Sequence, residues 1–269
     1  MSNIKLKNIL ATKTSYGVIS KGIYIIDGEE YLIKGNSGEG KLEPYSEGLV
    51  SVINEILGNY SIQYSIMDKN LFKEVKVYNG CNHVSVCKKH KNNLYQYADY
   101  LDTRDELRYY RVLEDYKDFG FDAIKLRRLF MTDALIGNKD RHLNNISLEY
   151  TNDRINIGPI LDCGASLLYD VPENKLKIYD KNNIGPDNSK PFTEFHRNQI
   201  KIINESLGEE KIFKSITKDY FISEFIKRGG DILKLLSKER KESIISYLDV
   251  RYDKYIVPFN IEDDKLNWK

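Results

Sequence analysis

The stretch Gly137-Asn138-Lys139-Asp140-Arg141-His142-Leu143-Asn144-Asn145-Ile146, followed shortly by Leu161-Asp162-Cys163-Gly164, decides how the rest of the chain is read. It leaves an amphipathic run, residues 121–137 (FDAIKLRRLFMTDALIG), in which Ile124, Leu129, Phe130, Leu135 and Ile136 recur among the apolar positions of a helix that stops at Gly137. Residues 155–170 (INIGPILDCGASLLYD) read as a strand, a tight turn and a resumed apolar segment. Asp140 and Asn145 thus share a loop, and Asp162 follows at a strand end. Phosphoryl transfer needs a carboxylate beside the acceptor hydroxyl and hard oxygen ligands that hold Mg²⁺ against the phosphates. Asp140 fits the first role, and Asn145 and Asp162 fit the second. The competing reading is an Asx-rich turn capping a strand, which does not account for the added Asp162-x-Gly164. His142 has two readings, a donor or proton carrier at the transferred phosphate and a brace for the loop. Arg141 likewise reads as a phosphate clamp or as a tie to a neighbouring carboxylate.

Upstream, residues 16–36 form a hairpin pattern, with YGVIS and GIYIID leading through Asp27-Gly28 into EEYLIKG. From Glu47 to Gly58, Leu49, Val50, Ile53, Ile56 and Leu57 repeat at helical spacing, with Ser46 as N-cap and Gly58 as stop. Extended candidates follow at SIQYSIM (61–67), EVKVYNG (74–80) and HVSVCKK (83–89). Helical patterns occupy 196–205, 211–228 and 231–249. The pattern predicts an α+β protein with a small β-rich lobe over residues 1–90 and a larger, mainly helical lobe over 91–269.

The 269 residues carry 41 Lys+Arg against 40 Asp+Glu, a formal net charge of +1. That balance removes the broad electrostatic reason to expect nucleic acid as a partner. With 30% charged and 41% hydrophobic residues, the chain is globular rather than disordered. No apolar run approaches the ~20 residues of a membrane span, and MSNIKLKNIL lacks a secretory core. The expected location is cytoplasmic, with export as an effector kept open. Cys81, Cys87 and Cys163 are an odd count, read as reduced thiols.

The D-x-x-x-x-N loop followed by D-x-G is similar to the catalytic and metal loops of the protein-kinase superfamily. Written G-N-x-D-R-H-x-x-N, with Arg-His after the Asp, it resembles the bacterial HipA-like kinases, including the cell-translocating kinase A type. Phosphatidylinositol 3-/4-kinases share the D-R-H-x-x-N form. The rest of the chain follows HipA-like order. Tyr31-Leu32-Ile33-Lys34 resembles the strand with the ATP lysine, and Ser46-Glu47-Gly48-Leu49-Val50-Ser51 resembles the helix bearing its glutamate partner. Glu55, eight residues on, stands on nearly the same helical face and competes with Glu47. Val84-Ser85-Val86-Cys87-Lys88 lies where the adenine-binding hinge is expected, which implies Val86 and Lys88 as contacts. Thr14 to Gly22 matches the phosphate loop, with Gly17 and Gly22 in place of a full G-x-G-x-x-G. Ser189-Lys190-Pro191-Phe192, with His196, is similar to a segment after the metal loop. The resemblance covers residues 8–250 and matches the short kinase-core form rather than full-length HipA.

The resemblance implies a two-lobed protein-kinase-like fold and ATP- and Mg²⁺-dependent transfer to a Ser/Thr hydroxyl of a protein. The acceptors include the chain itself, at Thr14, Ser15 or Ser20. It implies catalytic roles for Asp140 and His142, nucleotide binding by Gly17, Lys34, Glu47, Val86 and Lys88, and metal binding by Asn145 and Asp162. A toxin or effector role, with an antitoxin partner, comes with it. Alternatives are a lipid or small-molecule kinase with the same centre, and a pseudokinase binding module. Cys81, His83, Cys87 and His90 are zinc-type residues, but their spacing matches no C-x₂₋₄-C knuckle and Val84 and Val86 alternate as in an ordinary strand.

Overall fold

The computed structural model describes residues 9–16, 19–90, 94–96, 123–151, 154–208, 211–213 and 216–259. Strands β1 (Ile9–Tyr16), β2 (Ser20–Ile26) and β3 (Glu29–Lys34) open the chain, and the β2–β3 hairpin turns at Asp27 (φ 49°) and Gly28 (φ 83°). Positive φ at both turn residues matches the right-handed twist of the flanking strands, which is why Asp-Gly is favoured there. With β4 (Ser65–Asp68) and β5 (His83–Lys88), they make an antiparallel sheet in the order β1-β2-β3-β5-β4. Gly17 of the phosphate-loop match lies outside the described residues.

Helix α1 (Glu43–Leu57) crosses beneath this sheet and stops at Gly58, as its pattern predicts. It begins three residues before Ser46, because Pro44 suits the first helical turn, where no backbone donor is needed. Ser46 is therefore not the cap, and its hydroxyl donates instead to Ser166 O, at 2.9 Å. Leu49, Val50, Ile53 and Leu57 are buried and join the main core.

The expected strand EVKVYNG does not form. Lys76 N donates to Ser20 Oγ (2.9 Å) and Tyr78 N to Asn36 Oδ1 (2.7 Å), so side chains take the amides a ladder would need. Val75 still fills the upper core, with Tyr24, Phe72 and Val86.

In the second lobe, β6 (Leu94–Gln96), β7 (Ser147–Thr151) and β8 (Arg154–Ile157) form a three-stranded sheet. The helices are α2 (Ala123–Ile136), α3 (His196–Leu207), α4 (Lys218–Arg228), the short α5 (Gly230–Leu233) and α6 (Lys238–Tyr255). The pattern over 211–228 thus yields a helix only from Lys218, where the Thr217 side chain caps it by accepting from Tyr220 N. The pattern over 231–249 is broken at Ser237, which caps a helix running on to Tyr255. Helix α2 is the spine of this lobe, with Leu126, Leu129, Phe130, Met131, Ala134, Leu135 and Ile136 all buried. The architecture is α+β and two-lobed: a small antiparallel sheet with one helix above a larger helical body. Among the described residues, no helix is long and apolar enough to cross a membrane.

Candidate active site

Lys34 ends β3, and its side chain points to the α1 face of the sheet. Its Nζ donates to Glu47 Oε1 and to Asp162 Oδ1, each at 2.9 Å, so one ammonium joins strand, helix and the D-x-G turn. Lys34 and Glu47 are 7% and 2% exposed. Burial opposes the lysine's charge, but Glu47, Tyr64 and Asp162 outweigh it and hold its pKa well above the ordinary value. Burial also lifts Glu47, against the pull of Lys34. For Asp162, burial is overcome by Lys34, with help from Arg141 and Lys21, and its pKa falls. The coupled group is best described as one cation held between two carboxylates. Glu55 is not the partner of Lys34, because it lies on the surface and pairs with Arg228 NH1 at 3.0 Å.

Asp162 stands at φ 56°, in the left-handed region that Asp tolerates better than most residues. This conformation turns the carboxylate towards Lys34. Gly164 lets the turn lie close against α1, since a Cβ there would meet Glu43 Cβ at 3.0 Å, tighter than side chains ordinarily pack. The Cys163 amide donates to Glu47 Oε2 (3.4 Å) and Leu42 N to Tyr169 O (3.0 Å), which fixes α1 to the segment that carries Asp162.

The loop that carries Asp140 and Asn145 begins at Gly137 (φ 64°), where a Cβ would collide with the Tyr247 hydroxyl. Arg141 is its buried pivot. Its Nε and NH2 grip Asp133 of α2 at 2.8 and 3.0 Å, and its NH1 donates to Asn145 O (2.7 Å) and Leu161 O (2.6 Å). Both side chains of the Arg141–Asp133 pair are 0% exposed. Arg141 is thus the tie of the two readings and is turned away from solvent. It clamps the loop that bears Asn145 to the D-x-G turn that bears Asp162, five residues past the end of β8. The Asn145 amide nitrogen donates to Asp140 O at 3.0 Å, which leaves its Oδ1 as the acceptor for a cation. Asp140 is half-exposed, with Lys190 Nζ at 2.8 Å from Oδ1 and His142 Nε2 at 3.8 Å from Oδ2.

The two residues of the expected hinge, Val86 and Lys88, both lie on β5. Val86 is paired with Ile33 on one side and Ser65 on the other, and its side chain enters the upper core with Tyr24 and Phe72, away from Lys34. A strand's period of two puts Ser85, which pairs with Lys34, and Cys87 on the Lys34 face. The Cys87 thiol sits in the field of Lys34 and beside Tyr64, with its pKa pushed up to about 11 by burial. Lys88 ends β5 and pairs with Glu29 at 3.0 Å on the surface. Of the zinc-type residues, Cys81 Sγ donates to His83 O, His83 Nδ1 meets Tyr45 OH at 2.9 Å, and His90 meets Glu149 at 3.3 Å.

Sequence reasoning missed Tyr64, whose ring lies 4.9 Å from Lys34 Nζ, and Asp133. A cation over an aromatic face is stabilised by the ring quadrupole, but a lone Tyr at the edge of an apolar strand gives no signal of that role. The donor set suits a nucleoside triphosphate with Mg²⁺: a fixed ammonium for phosphate oxygens and two side-chain oxygens from separate loops for a hard cation. Asp140 stands beside them at the solvent edge, half-exposed and paired with Lys190.

No protein-family model matches the chain, and no curated protein does. Among solved structures, the Helicobacter pylori proinflammatory kinase CtkA superposes with a TM-score of 0.59 at 17% identity, over 93% of each chain. HipA of Shewanella oneidensis MR-1, solved with HipB and operator DNA, gives a TM-score of 0.46 at 13% identity, over 91% of this chain and 64% of its own. The CtkA likeness shows that the chain has the two-lobed kinase fold over nearly its whole length.

Proposed function

We propose that the chain is an ATP- and Mg²⁺-dependent phosphotransferase that moves the γ-phosphoryl group to a Ser or Thr hydroxyl of a protein. The observation that carries the reading is Lys34 Nζ held at 2.9 Å from both Glu47 and Asp162. A buried lysine between carboxylates from two lobes is a costly arrangement for stability alone, and it suits a polyanion that takes up the cation. Asn145 and Asp162 would hold Mg²⁺, which when bound neutralises charge across the phosphates. Lys34 binds phosphate oxygens, and Glu47 fixes its position. Asp140 orients the acceptor hydroxyl and takes its proton as the new O–P bond forms and the bond to the ADP oxygen breaks. His142, close to Asp140, donates to the phosphoryl oxygens.

The protein acceptor and an antitoxin partner rest on the HipA-like sequence pattern. On this reading the nucleotide lies between a lobe ending near residue 90 and the lobe that follows. The test is intact-mass analysis of the purified chain after incubation with ATP and Mg²⁺, with phosphosite mapping and a generic protein acceptor. A gain of phosphoryl mass on the chain or acceptor supports the reading. Nucleotide binding without transfer to any protein, lipid or small alcohol would make it a binding module instead.

A further inference from the structure

Lys190 has no part in the mechanism above, yet it reaches the catalytic carboxylate. Its Nζ lies 2.8 Å from Asp140 Oδ1, across fifty residues of sequence. The turn that presents it is built. Asn188 and Phe195 bridge, Ser189 N donates to Glu194 O at 2.9 Å, and Ser189 Oγ donates to Thr193 O at 2.8 Å. Two residues on, buried Phe192 packs its ring 5.3 Å from that of Phe130 on α2, the helix that leads into the catalytic loop. The backbone beneath Lys190 is therefore fixed relative to Asp140, while the lysine's own four-carbon stem keeps its rotamers.

Three neighbouring cations are held by other carboxylates. Lys34 serves Glu47 and Asp162, Arg141 serves Asp133, and Lys139 serves Asp170. Lys190 differs in that its ion-pair partner is the candidate base itself. Both side chains of that pair are about half-exposed, at 53% and 45%. Such an exposed pair contributes little to stability and exchanges readily for a denser anion.

We infer that Lys190 is a γ-phosphate-binding residue, which the resting protein keeps on Asp140 and which leaves it when a nucleoside triphosphate binds. This inference rests on the phosphotransferase reading. An acceptor oxygen poised for transfer stands ~3–3.5 Å from the phosphorus and within hydrogen-bond reach of the base. A cation already on that base is then within one rotamer change of the γ-phosphate oxygens. Moving there gives Lys190 a charge-assisted bond to a more highly charged partner and frees Asp140 Oδ1 for the hydroxyl. The lysine thereby makes the base available only when there is a phosphoryl group to transfer.

The experiment needs no turnover. Dissociation constants of ADP and of the non-hydrolysable β,γ-imido analogue of ATP, each with Mg²⁺, are measured by calorimetry for the wild-type chain, Lys190→Ala and Lys190→Arg. Loss of one charge-assisted bond predicts that Lys190→Ala binds the analogue about tenfold more weakly, with ADP affinity unchanged. Lys190→Arg, which keeps the charge, should recover most of the difference. An equal loss for both nucleotides, or no loss for either, overturns the assignment. If the wild-type chain binds neither nucleotide, the phosphotransferase reading itself fails, and the two failures are told apart by that control.

Discussion

Replacing Arg141 by Met tests whether this side chain holds the site together or touches phosphate. The guanidinium makes two bonds to Asp133, one each to the carbonyls of Asn145 and Leu161, and a fifth contact to Cys163 Sγ at 3.2 Å. Met keeps much of the stem volume and removes all five. Asp133, with no exposed surface, is left with the Asn138 amide at 2.9 Å as its remaining side-chain donor. Removing one partner of a buried pair strands a charge and costs ~3–5 kcal/mol. The buried Asn145 carbonyl and the half-buried one of Leu161 also lose a donor, so the upper end of that range is expected here. Against a total stability of ~5–15 kcal/mol, and at ~2–4 °C per kcal/mol for a chain of this size, the melting temperature should fall by roughly 10 °C or more. Thermal unfolding followed by circular dichroism measures this. The double variant Asp133→Leu/Arg141→Met should be less destabilised than the sum of the single variants, because neither charge is then left alone. An Arg141→Met protein that melts with the wild type but loses ATP affinity would refute the reasoning and make Arg141 a phosphate ligand.

Further outcomes follow from the same geometry. Lys34→Ala and Glu47→Ala should both weaken ATP binding in a direct titration, whereas Glu55→Ala, whose carboxylate meets Arg228 on the surface, should bind like the wild type. Asp140→Asn should lower the transfer rate by ~10²–10⁴-fold with the KM for ATP nearly unchanged. If His142→Ala loses transfer and Asp140→Asn retains it, the base is His142. His196 is fully buried, and burial, with the nearby Arg251 guanidinium, holds its pKa well below the usual histidine value. The unfolded chain therefore binds its proton first. The stability due to neutral His196 is complete above about pH 6.5 and is lost as pH falls below it, at up to ~1.4 kcal/mol per pH unit. Urea unfolding of wild type and His196→Gln between pH 7.5 and 5 should give a shallower decline for the variant, and parallel declines would remove this account.

Features encoded within a few residues are legible in the amino-acid sequence alone. Asp27-Gly28 selects its turn by backbone chirality, α1 stops where Gly58 adopts the left-handed cap, and the spacing of Asp140, Asn145 and Asp162 places three oxygen donors on two neighbouring loops. The choice between Glu47 and Glu55 is not legible there, because eight residues return nearly to the same helical face. Only the packing of α1 against β5 and β4, with its first half against the D-x-G turn, puts Glu47 on Lys34. Likewise EVKVYNG alternates like a strand, yet Ser20 and Asn36 take its amides from 56 and 42 residues away. The role of Arg141 is decided by Asp133, a polar residue inside an apolar helix pattern, and Lys190 meets Asp140 only through the turn anchored by Phe192 on Phe130. Periodicity and spacing record what a residue does to its chain neighbours. Which charges meet across the lobes depends on how separate elements pack, and only the folded chain decides that.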